Sequence, residues 1–527
     1  MPVVDVLVDG QQRLGPLAYN AAPGMSIKPG DAVEVPFGRR QAFGVVLGIS
    51  MSPERATKEV TKVFGPRADP VDLGVAALLA VRHFSPLAAL VTRCAPTSAK
   101  GAPPLSAGPV TLKGSAHIPV GVSDREWRFV QRPPLVDPAI LAAQLAAEMA
   151  SIGCGQVLVL CPTVPLVESV LAQFVSGAAR LDAAAARGSW RGFVDGQVQI
   201  GVGTRAAGLY SAQNLVGVVV VEADHVGHVA QRQPVIHAAE IARARAKAHQ
   251  VPLVMTGLCP IPRFLENVRV VQAGSPADTP NVTVFSRAGR DARRAFPAPV
   301  QVVVQRAIRA RKRVLVVCEP SARRRCTGCR QLWDTKAAVC SRCGGSDQRV
   351  VGWDKNRVEQ FFQNKVRAVT FEELLKTRGA DVVVLFDVDM PLRRATLSPL
   401  RDIALLVLAA ASSSVVGGQV VCVTDTDGDS PLFSALTAAD LREVGRTVWA
   451  EARAMALPPF GELVEIGVFG RKTVPDVRLF PGQVFGPRKV ADGEWEWMVR
   501  CEAAQIPLVA SAVESWRKRY RVRVSRL

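Results

Sequence analysis

The chain has 527 residues, of which 48% are hydrophobic and 21% are charged. This length exceeds what one hydrophobic core serves, and the composition excludes a disordered or fibrous chain. The 65 Lys and Arg against 46 Asp and Glu give a net charge of +19, which favours a polyanionic partner, nucleic acid first. The alternative is a solvated, arginine-rich surface.

The first part of the chain predicts a small β-rich domain followed by a helix and a linker. Residues 1–65 alternate in short β-like runs, with turns at "APGMSIKPGD" and "VPFGRR". Residues 66–115 begin with an Ala/Leu-rich helix around residues 74–83 and continue into the linker-like "APTSAKGAPPLSAGP". The opening "MPVVDVLVDGQQ" lacks the pattern of a signal peptide, so a cytoplasmic location is expected.

Two further segments alternate buried strands with helices. Residues 116–290 contain "QVLVLCP", "VGVVVVEADH" and "VPLVMTG", and residues 291–430 contain "RVLVVCEP", "DVVVLFDVD" and "GQVVCVTDT". Continuous Val-rich runs of this kind are typical of parallel sheets covered on both faces. A charge-free run at 404–423 is predicted to be a buried strand–turn–strand and not a membrane span.

Residues 431–527 begin with a helix near 441–456 and continue as mixed α and β structure. The predicted fold class is therefore α/β. It comprises two parallel-sheet lobes, a β-rich N-terminal domain and an α+β C-terminal domain.

Four cysteines interrupt the second lobe as two C-x2-C pairs: Cys326, Cys329, Cys340 and Cys343. Four thiolates so spaced can hold one zinc ion tetrahedrally, and a site closed by four cysteines is structural. Gly344 follows the last cysteine, where a tight knuckle favours a positive φ. The sequence therefore predicts one structural Zn²⁺ in a knuckle at 318–347. The alternative is four free thiols in a loop.

Two successive α/β lobes suggest the motor of a helicase, but three motor parts are missing. The dipeptide Gly-Lys does not occur, so there is no Walker A loop. The acidic pair that should follow "VGVVVV" is interrupted, because Ala223 stands between Glu222 and Asp224. No Lys or Arg lies between Arg401 and Arg442, where the second lobe should supply an arginine to the γ-phosphate. No catalytic residue is predicted, and weak binding of ATP stays an open alternative.

The order of several segments resembles the bacterial primosomal protein N′ (PriA) replication-restart family. The segment "LAYNAAPGMSIKPGDAVEVPFGRRQAFGVVLG" is similar to that family's 3′-DNA-binding domain, and "VGTRAAGLYSAQNLVGVVVVEADH" looks like its "GTRSA…NLGLIVVDEEH" segment. "CSRCGGSDQRVVGWDKNRVEQFF" looks like its last cysteine pair and the helix that follows, and "LPPFGELVEIGV" looks like part of its C-terminal domain.

The departures from the family are equally specific. The family has eight cysteines and two zincs, whereas this chain has one C-x2-C pair on each side. Its DEEH box is "EADH" here, and Ala18 replaces the acidic residue expected before Tyr19. Linker-like sequence at 97–115 stands where the family has a winged-helix insert. The chain thus resembles a subgroup with degenerate helicase motifs.

The resemblance implies binding to single-stranded and branched DNA at arrested forks, recruitment of primosome proteins and loading of the replicative helicase. Phosphate contacts and base stacking would come from cationic and aromatic residues. The candidates are Tyr19, Phe37, Arg39, Arg40, Lys62, Arg323, Arg324 and Arg325. The alternatives are core packing for the two aromatic residues and a solvated loop for the last three arginines.

Two other functions stay open on the sequence. The chain is a residual ATP-dependent 3′–5′ DNA helicase if unrecognised residues replace the missing motifs. It is an interaction protein if the zinc knuckle binds protein and not DNA. The pair His225 and His228 has no cysteine or carboxylate partner at a suitable spacing, so a metal site there is not favoured.

Overall fold

The structure is a computed structural model. It describes residues 2–11, 15–50, 56, 58–94, 109–114, 126–182, 189–230, 235–274, 279–287, 296–318, 323–329, 332–334, 339–340, 343–351, 353–393, 396–426, 428–470, 477–491, 493–517 and 519–526. The predicted linker at 97–115 lies largely outside these residues. Over these ranges, no helix combines the length and apolar character that crossing a membrane requires.

The N-terminal residues form one five-stranded antiparallel sheet, in the order β2-β1-β4-β3-β5. Its strands are β1 (Val3–Val8), β2 (Leu17–Asn20), β3 (Asp31–Phe37), β4 (Arg40–Ser50) and β5 (Lys62–Pro66). Successive side chains of a strand point to opposite faces of the sheet, so Val33 and Val35 on β3 share one face, where both are fully buried. Gly30 is required before β3, since its φ is +94° and a Cβ would lie 2.1 Å from the carbonyl oxygen of Ala68.

Two helices cover part of the other face of this sheet: α1 (Pro70–Arg82) and α2 (Leu87–Cys94). They also anchor the N-terminal domain on the first lobe. The carboxylate of Asp72, which is buried, accepts hydrogen bonds from Arg245 at 3.1 Å and lies 2.9 Å from Nε2 of His249. A buried carboxylate paired in this way fixes the relative position of two packed elements.

Lobe 1 is a seven-stranded, all-parallel sheet in the order β10-β11-β8-β12-β13-β7-β14. Its strands are β7 (Trp127–Gln131), β8 (Gln156–Cys161), β10 (Ala178–Arg180), β11 (Ile200–Thr204), β12 (Leu215–Val220), β13 (Leu253–Gly257) and β14 (Arg269–Gln272). A small ribbon pairs β6 (Thr111–Leu112) with β9 (Phe174–Ser176). The helices are α3 (Pro138–Gly153), α4 (Val164–Leu171), α5 (Ser189–Val194) and α6 (Ala238–His249).

Lobe 2 is a five-stranded, all-parallel sheet in the order β15-β22-β21-β16-β20. Its strands are β15 (Asn281–Ser286), β16 (Val314–Val317), β20 (Arg367–Val369), β21 (Ala380–Leu385) and β22 (Ser414–Thr424). The cysteine insert follows β16 as a three-stranded antiparallel sheet of β17 (Arg323–Cys326), β18 (Leu332–Asp334) and β19 (Gln348–Val351). The helices are α7 (Ala298–Arg309), α8 (Lys355–Phe361), α9 (Phe371–Lys376), α10 (Met390–Arg393), α11 (Pro399–Ser412), α12 (Pro431–Thr437) and α13 (Leu441–Ala454).

Lobe 2 differs from the sequence prediction in two places. The charge-free run at 404–423 is not a strand–turn–strand, because its first half belongs to helix α11 and only its second half to strand β22. Helix α13 was predicted to begin the C-terminal domain, but Leu441, Val444 and Val448 pack in the hydrophobic core of lobe 2. An apolar run cannot distinguish a buried helix from a buried strand by periodicity alone.

The C-terminal domain is an antiparallel sheet in the order β24-β25-β23-β26, with one helix packed on it. Its elements are β23 (Glu462–Phe469), β24 (Gln483–Ala491), β25 (Glu494–Cys501), α14 (Ile506–Arg517) and β26 (Arg521–Arg526). Trp497 and Trp516 meet in its core with ring centroids 5.4 Å apart. The predicted fold class is therefore confirmed: two parallel α/β lobes flanked by a β-rich and an α+β domain.

Candidate functional site

Tyr19, a predicted stacking residue, lies in the core of the N-terminal sheet. Its side chain is 3% exposed, and its hydroxyl donates a hydrogen bond to the carbonyl oxygen of Pro36 at 3.2 Å. Burial raises the pKa of the phenol. Core packing, the alternative to stacking, is therefore the arrangement that the structure shows for Tyr19.

The other N-terminal candidates lie at the surface. Phe37, at the end of β3, is half-buried, and the guanidinium carbon of Arg40 lies 5.9 Å from the centre of its ring. Arg39, on the turn between β3 and β4, and Arg40, the first residue of β4, are both exposed. Lys62 is exposed at the start of β5, where its ammonium lies 5.0 Å from the ring centre of Phe64.

Two exposed phenylalanines that the sequence did not single out lie on the face of this sheet opposite Val33 and Val35, on its uncovered part. Phe43 on β4 is 50% exposed and Phe64 on β5 is 47% exposed, with ring centroids 5.3 Å apart. The signal was present, because side chains alternate along a strand. Val63 packs toward the domain core, so Phe64 beside it must face the other way.

The four cysteines lie together at one end of the inserted sheet. Their sulfur atoms are all within 4.8 Å of one another, and the Cys326–Cys343 and Cys329–Cys340 pairs are each 3.5 Å apart. Four bonds of about 2.3 Å in a tetrahedron would separate the sulfurs by about 3.8 Å. The donor set therefore fits a metal ion such as zinc.

The local backbone supports this cluster. A hydrogen bond from the backbone N–H of Cys329 is the main reason that the pKa of the Cys326 thiol is lowered, and metal ligation requires the thiolate form. Gly344 has the predicted positive φ, +71°, and its N–H donates to the carbonyl of Cys340 at 2.9 Å. Such a turn folds the second cysteine pair back onto the first.

For the three arginines before the cysteine cluster, the structure describes the backbone alone. Arg323, Arg324 and Arg325 lie in β17, directly before Cys326, and pair with both neighbouring strands. Their side chains lie outside the described part of the structure. A cationic patch there stays a prediction.

Lobe 1 carries an ion pair where a motor would bind the phosphates of a nucleotide. Arg132 follows strand β7 and donates from Nε and Nη2 to the two carboxylate oxygens of Glu222, both at 2.6 Å. Its Nη1 lies 3.1–3.3 Å from the carbonyl oxygens of Pro133, Pro134 and Val136. The loop between β7 and α3 thus wraps a guanidinium that is 3% exposed.

Asp224, the second acid of the degenerate box, has a structural partner of its own. One of its carboxylate oxygens accepts hydrogen bonds from the backbone N–H groups of Leu258 and Cys259, both at 2.9 Å. Burial, and after it the charge of Glu222, raises the pKa of Asp224 to about 6. The carboxylates of Glu222 and Asp224 therefore both accept hydrogen bonds from other residues of lobe 1.

The nearby histidines act as backbone caps. Nδ1 of His225 accepts from the N–H of Gly227 at 2.9 Å, and Nδ1 of His237 accepts from the N–H of Ala239 at 3.0 Å. Nε2 of His228 donates to the carbonyl of Val221 at 2.7 Å, and burial lowers its pKa to about 4. Among the residues the structure describes, potential metal ligands cluster at the four cysteines.

Lobe 2 brings one arginine close to this ion pair. Arg378, between α9 and β21, lies within electrostatic range of Arg132, Glu222 and Asp137. Burial, and after it the like charge of Arg132, lowers the pKa of Arg378. Arg378 could not be singled out from the sequence, since it lies outside the segment where a motor arginine is expected.

Comparison with known proteins identifies the N-terminal domain. Residues 5–96 match the family model of the PriA 3′DNA-binding domain (3′BD). No curated protein sequence matches the chain.

Several solved structures are similar to the chain at low identity. One is a Dbp5 variant from S. cerevisiae bound to RNA and ADP–BeF3, with 11% identity, a TM-score of 0.30, and coverage of 62% of this chain and 89% of that one. Another is the DUF1998 helicase MrfA bound to DNA and AMPPNP, with 11% identity, a TM-score of 0.33, and coverage of 59% and 47%. A third is the Mycobacterium smegmatis helicase Lhr bound to ssDNA and AMP-PNP, with 12% identity, a TM-score of 0.31, and coverage of 59% and 46%.

The chain spans about half the length of the MrfA and Lhr chains. The link to the PriA family therefore depends on the N-terminal match. Residues 5–96 form a domain that matches the PriA 3′DNA-binding domain, which supports the resemblance of this chain to the PriA family.

Proposed function

We propose that this protein binds arrested replication forks in replication restart and promotes primosome assembly and loading of the replicative helicase without a motor of its own. The DNA-binding part is supported by the PriA 3′DNA-binding domain and the net charge of +19. The protein partners follow from the family assignment. The observation that carries the motor-free part is the ion pair of Arg132 with Glu222.

The loop around this ion pair presents hydrogen-bond acceptors, whereas a phosphate-binding loop presents donors. A P-loop points backbone N–H groups and a lysine at the phosphates. Here three backbone carbonyls of the corresponding loop point at Arg132. Glu222, which follows strand β12, is neutralised by Arg132 and has no charge to spare for Mg²⁺. Nucleotide hydrolysis is not expected from such a site.

The part of the N-terminal sheet that carries Phe43 and Phe64 supplies the DNA contact. The ring of Phe43 is half-exposed and can stack on an unpaired base. The ammonium group of Lys62 lies over the neighbouring ring of Phe64, where it can bind a phosphate. Arg39 and Arg40 are at the end of the same hairpin, about 10 Å along the strand at roughly 3.3 Å per residue. Stacking combined with phosphate contacts binds a single strand without reading its sequence.

The four cysteines would hold one structural zinc ion. Zinc bound by four thiolates has no open position for water or substrate, so it supplies folding free energy and no chemistry. The inserted sheet of β17, β18 and β19 has only short strands, and such a ribbon is not stable alone. The metal would therefore order the platform that presents Arg323, Arg324 and Arg325.

The DNA contact is tested with Phe43→Ala combined with Phe64→Ala. Labelled forks with and without a 3′ nascent end are titrated at two salt concentrations. Base stacking on an aromatic side chain contributes about 1–3 kcal/mol per base, so binding should weaken by roughly 5- to 150-fold. The loss should persist at the higher salt, because stacking is not a charge interaction.

Phe485→Ala is the matched control for this test. Phe485 is a 39% exposed phenylalanine that also lies under a cation, with the guanidinium carbon of Arg500 at 5.3 Å from its ring centre. Fork binding should be unchanged in this variant. Equal affinity of the double variant and the control would show that the aromatic pair does not contact DNA.

A further inference from the structure

A row of cations lies along the amino-terminal edge of the lobe 2 sheet. Strands β16, β20 and β21 are parallel neighbours, so the residues before them meet at one edge. The last turn of α7 and the loop to β16 lie at the same edge. The row, here called the lobe 2 ledge, consists of Arg306, Arg309, Arg311, Lys312, Arg313, Lys365 and Arg367.

All seven side chains of the ledge are exposed, and within the described residues none makes an ion pair. Two acids at this edge are turned to the backbone. Asp381 accepts from the N–H of Arg313 at 2.8 Å, and Glu359 accepts from the N–H of Ala368 at 3.0 Å. The ledge therefore keeps a large excess of positive charge.

A favourable interaction with a helix dipole accounts for only some of the seven cations of the ledge. Arg306 and Arg309 lie in the last turn of α7, where a cation interacts favourably with the helix dipole. The loop cations and those beside β20 have no such role, because the effect fades beyond the terminal turn. Seven like charges that form no ion pair among the described residues repel one another and reduce stability.

We propose that the lobe 2 ledge binds the phosphate backbone of duplex DNA, as a second contact separate from the N-terminal domain. The inference rests on the proposed function and adds the double-stranded arm of the fork to it. Three neighbouring strands about 4.8 Å apart make an edge about 10 Å wide. Duplex DNA carries one charge per about 1.7 Å of its axis with both strands counted, so a length of about 10 Å of duplex contains about six phosphates, of which the edge can reach those on its own side.

The ledge suits a duplex better than a single strand. It contains only Arg and Lys, which hold phosphates, and no aromatic residue on which an unpaired base stacks. The exposed ring closest in sequence, Phe361, is already stacked on Phe296 with centroids 5.2 Å apart. The ledge also lies beside the cleft between the lobes, because Arg313 donates to the carbonyl of Arg378 at 2.8 Å.

The test compares the affinity of the full chain for a blunt duplex and for a single-stranded oligonucleotide over a range of salt. The variant is Arg309→Gln with Lys312→Gln, and the control is Lys247→Gln with Arg442→Gln. Lys247 and Arg442 are exposed, and Lys247, like Arg309, lies in the last turn of a helix. The two double variants thus remove the same charge, and each changes one residue in the last turn of a helix.

The ledge variant should bind the duplex more weakly and with a shallower salt dependence. Each lost phosphate contact reduces the slope of log K against log salt by about 0.9, so two lost contacts reduce it by about 1.8. Single-strand binding should equal that of the control. Duplex binding equal to the control, or an equal loss on both probes, overturns the proposal. A wild-type chain that binds neither probe would instead contradict the proposed function itself.

Discussion

At the scale of single residues, Arg132 and Glu222 determine what lobe 1 can do. Their contact is short, bidentate and 3–12% exposed, so neither charge is available to a ligand without breaking the pair. A buried pair of this kind adds little net stability, but removing one partner leaves a charge without compensation. In the proposed function, the pair fills the place where a motor would bind nucleotide with groups of the protein itself.

We predict that Arg132→Met lowers the local stability of lobe 1 by about 3–5 kcal/mol, because it leaves the Glu222 carboxylate buried and unpaired. Combining it with Glu222→Gln should restore much of the loss. Hydrogen exchange of amides in β8 and β12 measures the effect in this lobe alone.

Arg446→Met is the matched control. Arg446 also forms an ion pair, with Glu443 at 2.8 Å, but it is 75% exposed. Its effect should stay within about 0.5 kcal/mol. If Arg132→Met were as mild as this control, the structural role of the buried pair would be refuted.

Residue types alone did not locate the aromatic contact. Tyr19 and Phe37 were reasonable candidates, yet Tyr19 is in the core and Phe37 is half-buried. Phe43 and Phe64 are 21 positions apart and meet because β4 and β5 both pair with β3. That pairing depends on register across the sheet, which the local sequence does not specify.

At the scale of elements, the cysteine insert is the one that we propose depends on a bound metal ion for its stability. Two hairpin-like ends bring four sulfurs together, and the spacing in the sequence was sufficient to predict this. The site is specified by short-range turn geometry, such as the positive φ of Gly344. Local signals of this kind are the most readily predicted.

We predict one zinc per chain by elemental analysis, released by Cys326→Ser combined with Cys329→Ser. Loss of the metal removes roughly 10 kcal/mol or more of binding free energy from the insert. Limited proteolysis should then cut within 323–351, while the lobes stay protected. Cys154→Ser, which changes an exposed cysteine outside the site, should keep the zinc. A wild-type chain that recognises forks normally with no bound zinc would contradict this account of the insert.

The parallel strands were predictable from the sequence, and one helix was not. Val-rich runs identified β8, β12, β13 and β21 correctly, because a strand buried on both faces has few alternatives. Helix α11 was mistaken for a strand because nine of its residues are buried, so it lacks a polar face. Packing between layers, and not local propensity, decides such a segment.

At the scale of the whole molecule, the excess charge of +19 is divided between separate surfaces. The N-terminal face combines cations with aromatic rings, whereas the lobe 2 ledge has cations alone. The first suits an unpaired strand and the second a duplex, and a fork offers both together. The two lobes, of which lobe 1 contains the Arg132–Glu222 ion pair, would then act as a support between the two contacts.

The central claim is that this chain binds forks without hydrolysing ATP. The most direct measurement is ATP turnover by the zinc-loaded full chain, with and without saturating fork DNA, beside fork binding in the same buffer. We predict fork binding with no turnover above the background of the Asp224→Ala variant. DNA-stimulated hydrolysis that disappears in Asp224→Ala would contradict the claim and establish the residual helicase instead.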